Sequence, residues 1–166
     1  NVMAAILAAR FCGCDPSDTI RAVENFRGLP HRIEFVEEKN SVKFFDDSKG
    51  TNVGSVLRAL ETFTQPVILL LGGRDKDGDF ETLQPVLAAK AKKIVLFGEA
   101  LERIASLIGQ TVPVIKKTKL QEAVEVAYQE AVPGDVVLLS PGCASFDEFA
   151  NYKERGNFFR KVVENL

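Results

Sequence analysis

Apolar positions fall into two regimes along this chain. Over residues 2–11 they occupy nearly every side of a helical wheel, which predicts a helix packed inside a larger body. Asp15-Pro16-Ser17-Asp18 then offers a cap with proline in the first turn and predicts a second helix through Phe26. Gly28 stops that helix, and Leu29-Pro30 prevents its resumption. From Arg32 the period becomes that of strands. Residues 32–38 and 42–46 are β-rich runs joined by Lys39-Asn40-Ser41, predicting a hairpin.

Strands and helices alternate thereafter. Predicted strands at 42–46, 67–71, 93–97, 112–115 and 136–139 lead into predicted helices near 52–63, 80–90, 99–108, 120–131 and 154–164. The run Val67-Ile68-Leu69-Leu70-Leu71 is continuous, so both of its faces must be covered. That is the mark of a central parallel strand between helix layers. Five such β-α units predict an α/β fold: a doubly wound, mostly parallel sheet with right-handed crossovers, carrying an N-terminal hairpin strand. Ligands of such sheets gather beyond the carboxyl ends of the strands, so the loops there hold the candidate chemistry.

Composition narrows the function classes. The 166 residues are 46% hydrophobic with a formal net charge of −2, which excludes a strongly basic nucleic-acid binder and a disordered chain. The length predicts one domain with a small appendage. Three cysteines, Cys12, Cys14 and Cys143, are an odd number and predict a reducing setting rather than a disulfide framework. Cys12-Gly13-Cys14 lacks a two-residue spacer and His31 is the only histidine, so no metal site is expected. The longest apolar runs, 2–9 and 67–71, fall far short of the ~20 residues that span a bilayer. No basic segment precedes the first, so neither a membrane span nor a signal peptide is expected, and the chain reads as cytoplasmic. A start at Asn1 fits a piece of something longer.

Three loops stand out. The first, Asp46-Asp47-Ser48-Lys49-Gly50-Thr51-Asn52, follows the first parallel strand. Ser48, Thr51 or Asn52 suits a helix cap, but Lys49 opposes the helix dipole unless an anion sits there too. The second, Gly72-Gly73-Arg74-Asp75-Lys76-Asp77-Gly78-Asp79, has Asp79 where a Walker A loop requires lysine. It reads equally as a flexible turn or as a close backbone approach with Lys76 reaching an anion. In the third, residues 139–149, small residues leave room for a bound group beside Ser145. Ser145 with Glu148 reads as a capping box, and Cys143 as a structural thiol. Two lysines and hydroxyl donors at one sheet edge suit a small dicarboxylate or a phosphate.

The blocks Leu29-Pro30-His31-Arg32-x-Glu34, Asp47-Ser48-Lys49-x-Thr51-Asn52, Gly72-Gly73-x-x-Lys76, Leu139-Ser140-Pro141-x-Cys143-Ala144-Ser145-Phe146-Asp147-x-Phe149 and Arg155-Gly156-x-x-Phe159 together resemble the Mur ligases. The Asp-Ser-Lys-x-Thr-Asn block points to the member that adds D-glutamate. Asp46 and Tyr152 stand where asparagine and phenylalanine are frequent in the family.

The resemblance implies a Rossmann-like C-terminal domain over 32–166. It makes 1–31 the last helices of a central ATPase domain plus the hinge, where closure would pivot near residues 28–31. It implies ATP- and Mg2+-dependent ligation of D-glutamate to UDP-N-acetylmuramoyl-L-alanine in peptidoglycan precursor synthesis. By position, Lys49, Thr51, Lys76, Ser145 and Tyr152 would hold D-glutamate, while Arg32 and Asp47 would touch ATP. The family's phosphate loop and metal ligands lie in other domains of the same polypeptide, so the chain alone is expected to be inactive. The alternative is a receiver-like regulatory module, suggested by Asp46-Asp47. It wants an aspartate and a lysine after the third and fifth parallel strands, where Gly98 and Ser140-Pro141 stand. A nicotinamide-dependent oxidoreductase would need a glycine fingerprint that the chain does not carry.

Overall fold

The computed structural model describes residues 2–166; Asn1, the first residue of the expected 1–31 segment, lies outside them. Two helices open the chain, α1 (Val2–Phe11) and α2 (Pro16–Glu24). Asp15 caps α2 by accepting from the Ser17 amide at 2.8 Å, with Pro16 in the first turn. Neither helix buries a residue within this chain. Met3, Leu7 and Phe11 of α1 and Ile20 and Val23 of α2 remain exposed, so the body expected around α1 is not supplied by this chain.

A hairpin follows, β1 (Glu34–Lys39) and β2 (Val42–Asp46), with Lys39 paired to Val42. The turn is therefore Asn40-Ser41 alone, shorter than the expected three residues. Both turn residues have positive φ, 50° and 62°, the twist that a two-residue hairpin demands. Then come α3 (Val53–Glu61), β3 (Val67–Gly72), α4 (Gln84–Lys90), β4 (Ala91–Phe97), α5 (Leu101–Ile108), β5 (Val114–Lys116), α6 (Leu120–Glu130), β6 (Val136–Gly142) and α7 (Tyr152–Glu164). The helix expected over 80–90 is divided. A 3-10 turn, Phe80–Leu83, precedes α4 because Pro85 in the first turn of α4 cannot donate into a continuous ladder.

The six strands form one sheet in the order β1-β2-β6-β3-β4-β5, antiparallel only between β1 and β2. This is the expected doubly wound α/β architecture. Alternate residues of β3 enter opposite cores. Val67, Leu69 and Leu71 pack with Val56, Leu60, Leu87 and Ile104 from α3, α4 and α5. Ile68 and Leu70 pack with Val124 and Ala127 of α6 and Phe159 of α7. All five are fully buried, and each such side chain contributes about 1.5–3 kcal/mol.

Strand β6 runs three residues past its expected end. Register slips by one residue between the Leu70–Leu139 and Gly72–Gly142 pairs, and this bulge accommodates Pro141 inside a central strand. Because β6 lies between β2 and β3, the loops after β2, β3 and β6 emerge side by side. That edge is the place where the sheet order reverses, and ligands of such sheets bind there.

Candidate functional site

The β2 strand ends on three buried polar residues, Asp46, Asp47 and Ser48. Asp46 accepts from the His31 Nδ1 at 2.7 Å and from the Ser48 amide at 2.8 Å. Asp47 is placed by its own amide, which donates to the Leu139 carbonyl, and by Ser140, whose hydroxyl donates to Oδ2 at 2.8 Å. Its Oδ1 is buried and has no hydrogen-bond partner among the described residues. The nearest cation is Arg32, at 3.9 Å from that oxygen and with its side chain 42% exposed. Burial dominates the electrostatics: it pushes the Asp47 carboxyl up from 3.8 to about 6, against the opposing pull of Ser140, of Arg32 and of the nearby Ile33 amide. Asn52, the residue that caps α3, accepts from the Ser55 amide at 2.9 Å. Ser48 and Thr51 are thereby released from capping. Lys49 is half-buried, and its ammonium lies 6.0 Å from the centre of the Tyr152 ring.

After β3 the backbone threads between two neighbours. Gly73 has a φ of +121°, and a Cβ there would come within 2.4 Å of the Ala144 carbonyl, so only glycine fits. Arg74 and Ala144 exchange backbone hydrogen bonds of 2.9 Å in both directions, joining this loop to the one after β6. The turn that follows is tied by the Asp75 carboxylate. Asp75 accepts from the amides of Lys76 and Gly78 through Oδ1, while Arg103 of α5 donates to its Oδ2. Arg74 pairs with Glu99 at 2.9 Å. Lys76 is exposed at the head of this brace.

In the loop after β6, Ser145 is buried, and its carbonyl accepts from the amides of Glu148 and Phe149. The expected capping box does not form. The Glu148 amide goes to that carbonyl, and the Glu148 carboxylate accepts from the Leu120 amide at 3.3 Å. Helix α7 starts later in the loop, with Asn151 accepting from both Lys153 and Glu154 amides. Cys143 is fully buried and its thiol is pushed up to about 12 by burial, so it is a neutral structural group and no nucleophile.

One residue joins these loops that the sequence reading left outside the site. Arg155 of α7 is fully buried. Its Nε donates to the Ser48 hydroxyl at 3.0 Å, and Nη2 donates to the Ser48 carbonyl at 2.9 Å. Both Nη atoms also donate to the Cys143 carbonyl at 3.1 Å, and the Ser48 hydroxyl donates to the Tyr152 carbonyl at 2.8 Å. Burial lowers the guanidinium only to about 10, so it stays charged at neutral pH. A cation held by carbonyls rather than carboxylates ties the β2 loop to the β6 loop. The next residue, Gly156, marks a separate close approach. A glycine inside a helix marks a close approach, and here a Cβ would sit 2.2 Å from the His31 ring.

His31, Glu34 and Asp46 also cluster within the reach of a single ion. Their atoms are engaged with the protein instead. Glu34 accepts from the His31 amide at 2.9 Å and pairs with Arg160, and Asp46 is doubly occupied. A hard cation such as Mg2+, which takes oxygen ligands and keeps several waters, does not fit this set.

Comparison with known proteins places the chain. It is 61% identical over 163 residues to the UDP-N-acetylmuramoylalanine–D-glutamate ligase of Syntrophus aciditrophicus (strain SB), the match covering 98% of this chain and 36% of that protein. It is 47% identical over 166 residues to the protein of the same name from Bdellovibrio bacteriovorus, covering 100% of this chain and again 36% of the relative. The chain therefore spans little more than a third of the length of these relatives. Among solved structures, a pseudomurein peptide ligase type C from Methanothermus fervidus superposes with a TM-score of 0.74 at 17% identity, covering 99% of this chain and 34% of that one. FolC from E. coli in complex with ADP gives 0.70 at 16% identity, covering 99% and 39%. At such identities these two likenesses speak to the fold. The family model described as Mur ligase, glutamate ligase domain matches residues 31–143, more than half of the sequence, and the chain belongs to that family.

Proposed function

We propose that this chain is the C-terminal part of an ATP-dependent ligase that adds D-glutamate to UDP-N-acetylmuramoyl-L-alanine in the cytoplasm, a step of peptidoglycan precursor synthesis. In this reading residues 32–166 form the amino-acid-binding domain. Residues 1–31 belong to the hinge and to the end of a neighbouring domain, whose surface would cover the exposed faces of α1 and α2. The observation that carries the reading is the pattern of cations at one sheet edge. Arg74 and Arg103 are matched by Glu99 and Asp75, whereas Lys49 and Lys76 form no ion pair among the described residues. Two unmatched ammonium groups on adjacent loops suit the two carboxylates of D-glutamate, with the Thr51 and Ser145 hydroxyls and the Tyr152 ring completing the site.

The chemistry would proceed as follows. The carboxylate of the nucleotide-linked alanine attacks the γ-phosphorus of ATP, giving an acyl phosphate and ADP. The amine of D-glutamate then adds to the acyl carbon, and the tetrahedral intermediate loses phosphate and a proton to leave the amide. Arg32 would face phosphoryl charge, and Asp47 Oδ1, buried without a donor, would accept from a ribose hydroxyl. The Mg2+ that accompanies ATP is assigned no ligand in this chain, and the chain alone is expected to show no turnover.

The test is Lys76→Ala in the intact ligase. It should raise the KM for D-glutamate by about tenfold or more, the equivalent of one lost charge-assisted contact, and leave the KM for ATP within about twofold. An unchanged D-glutamate KM would remove Lys76 from the site. Titrating the chain with D- and L-glutamate while following amide shifts provides the second measurement, with the shifts expected at Lys49, Thr51 and Ser145 for the D-isomer.

A further inference from the structure

Arg32 sits between two residues held in the left-handed region, His31 at φ +60° and Ile33 at φ +49°. A β-branched residue there is a steric outlier, and such backbone persists only where the surroundings over-determine it. The surroundings here converge on His31. Its amide donates to Glu34, its carbonyl accepts from the Lys49 amide at 3.0 Å, and its ring donates from Nδ1 to Asp46 at 2.7 Å. The ring is buried, and the edge of Tyr152 lies 6.1 Å away, centre to centre. Helix α7 makes room for the ring–carboxylate pair by having no side chain at Gly156, where a Cβ would fall 2.2 Å from Nδ1 and 2.7 Å from Asp46 Oδ2. Strand, loop and helix thus all shape one pocket around the His31 ring.

We propose that the His31–Asp46 pair is a positioning latch: by holding His31, and with it Ile33, in the left-handed region on either side of Arg32, it sets the Arg32 guanidinium beside the orphan oxygen of Asp47. Both ends of Asp46 contribute, because its second oxygen holds the Ser48 amide and so fixes the chain on the far side of Asp47. Asp46 and Asp47 then divide the work. The first organises the loop from within, and the second keeps a buried, unpartnered oxygen within reach of Arg32. The carboxylate at position 46 accepts two donors and offers none, so the Nδ1 of His31 carries the proton of the shared bond.

The proposal rests on the reading of Arg32 and Asp47 as nucleotide contacts, and the test separates the two. In the intact ligase, Asp46→Ala should raise the KM for ATP about tenfold while the KM for D-glutamate stays within about twofold. Asp46→Asn keeps one acceptor where the carboxylate has two, so it can hold Nδ1 or the Ser48 amide but not both, and should recover part of the loss. Arg32→Ala is the reference and should raise the KM for ATP at least as far. If Arg32→Ala acts and Asp46→Ala does not, the latch is overturned and the nucleotide reading stands. If both are silent, the nucleotide reading fails. An Asp46→Ala defect that affects both substrates equally and is not rescued by asparagine also overturns the latch, since it marks a merely structural role. Should Asp46→Ala not fold, Asp46→Ser replaces it with the same expected outcomes. The chain holds one histidine, so nitrogen NMR reads the latch directly. A protonated, hydrogen-bonded Nδ1 is expected in the unaltered chain, and its loss is expected in the alanine or serine variant; an unaltered chain without that signal overturns the proposal.

Discussion

Arg155→Met should lower the stability of the chain by about 3–5 kcal/mol, the largest effect expected of any single substitution at the site. Methionine fills much of the same volume but donates nothing. The carbonyls of Ser48 and Cys143 and the Ser48 hydroxyl then lose their shared donor inside the protein. Each hydrogen bond to a charged group is worth about 1.5–3 kcal/mol, and the four are not additive because they share one side chain. For a chain of this size the melting temperature should fall by roughly 10 °C. Arg155→Lys should restore less than half of that. A compact ammonium on an unforked stem reaches one carbonyl group, whereas the guanidinium spans two loops. Thermal melts and urea midpoints of the two variants provide the check. An Arg155→Met chain that unfolds at the original midpoint would remove the tie between the loops from the account.

Asp47→Asn should move stability the other way, and only on one side of the pH scale. The folded-state carboxyl is pushed up to about 6 by burial, while in the unfolded chain it returns to 3.8. The folded state therefore holds this proton more tightly, and ionisation destabilises it progressively as pH climbs from 3.8 to about 6. The penalty reaches ~3 kcal/mol above that window and is absent below it. An amide does not ionise, so the variant should be more stable than the unaltered chain by up to ~3 kcal/mol near pH 8, with the difference vanishing near pH 4. Urea midpoints at the two pH values measure it. A variant with no stability gain near pH 8 would show that the buried oxygen carries no such penalty. In the intact ligase the same change should weaken ATP binding, because the oxygen that destabilises the empty site is the one proposed to meet the ribose. Stability given up at a functional position is a familiar trade.

The fold was legible where chemistry is local. The unbroken run from Val67 to Leu71 declared a strand buried on both faces, and it pairs on both sides with β4 and β6. Asp15-Pro16 and Asn52 announced the starts of α2 and α3, since a cap acts on amides two or three residues away. What escaped depends on distant neighbours. Pro141 read as a strand terminator because proline breaks a regular ladder, but the bulge opposite Gly72 absorbs it. Glu148 looked like the partner of Ser145, yet Leu120, 28 residues away in sequence, claims its carboxylate. The site divides in the same way. Lys49 was conspicuous because a cation at a helix start needs an explanation. Arg155 was not, because a buried arginine is recognisable only from carbonyls brought to it by other loops.

The position of β6 also bears on how the sheet is assembled in time. Strands β2 and β3 do not touch across the sheet; each pairs with β6, which comes from residues 136–142. As the chain emerges during synthesis, the hairpin of β1 and β2 and the three-stranded unit of β3, β4 and β5 can each form early, but both present an open edge until β6 arrives. An open edge is a template for wrong pairing between nascent chains. The exposed interval lasts for the roughly 90 residues between β2 and β6, several seconds at ~5–20 residues per second. The sixth strand is thus the seam of the sheet, and the edge where the loops after β2, β3 and β6 lie side by side is not complete until it is in place.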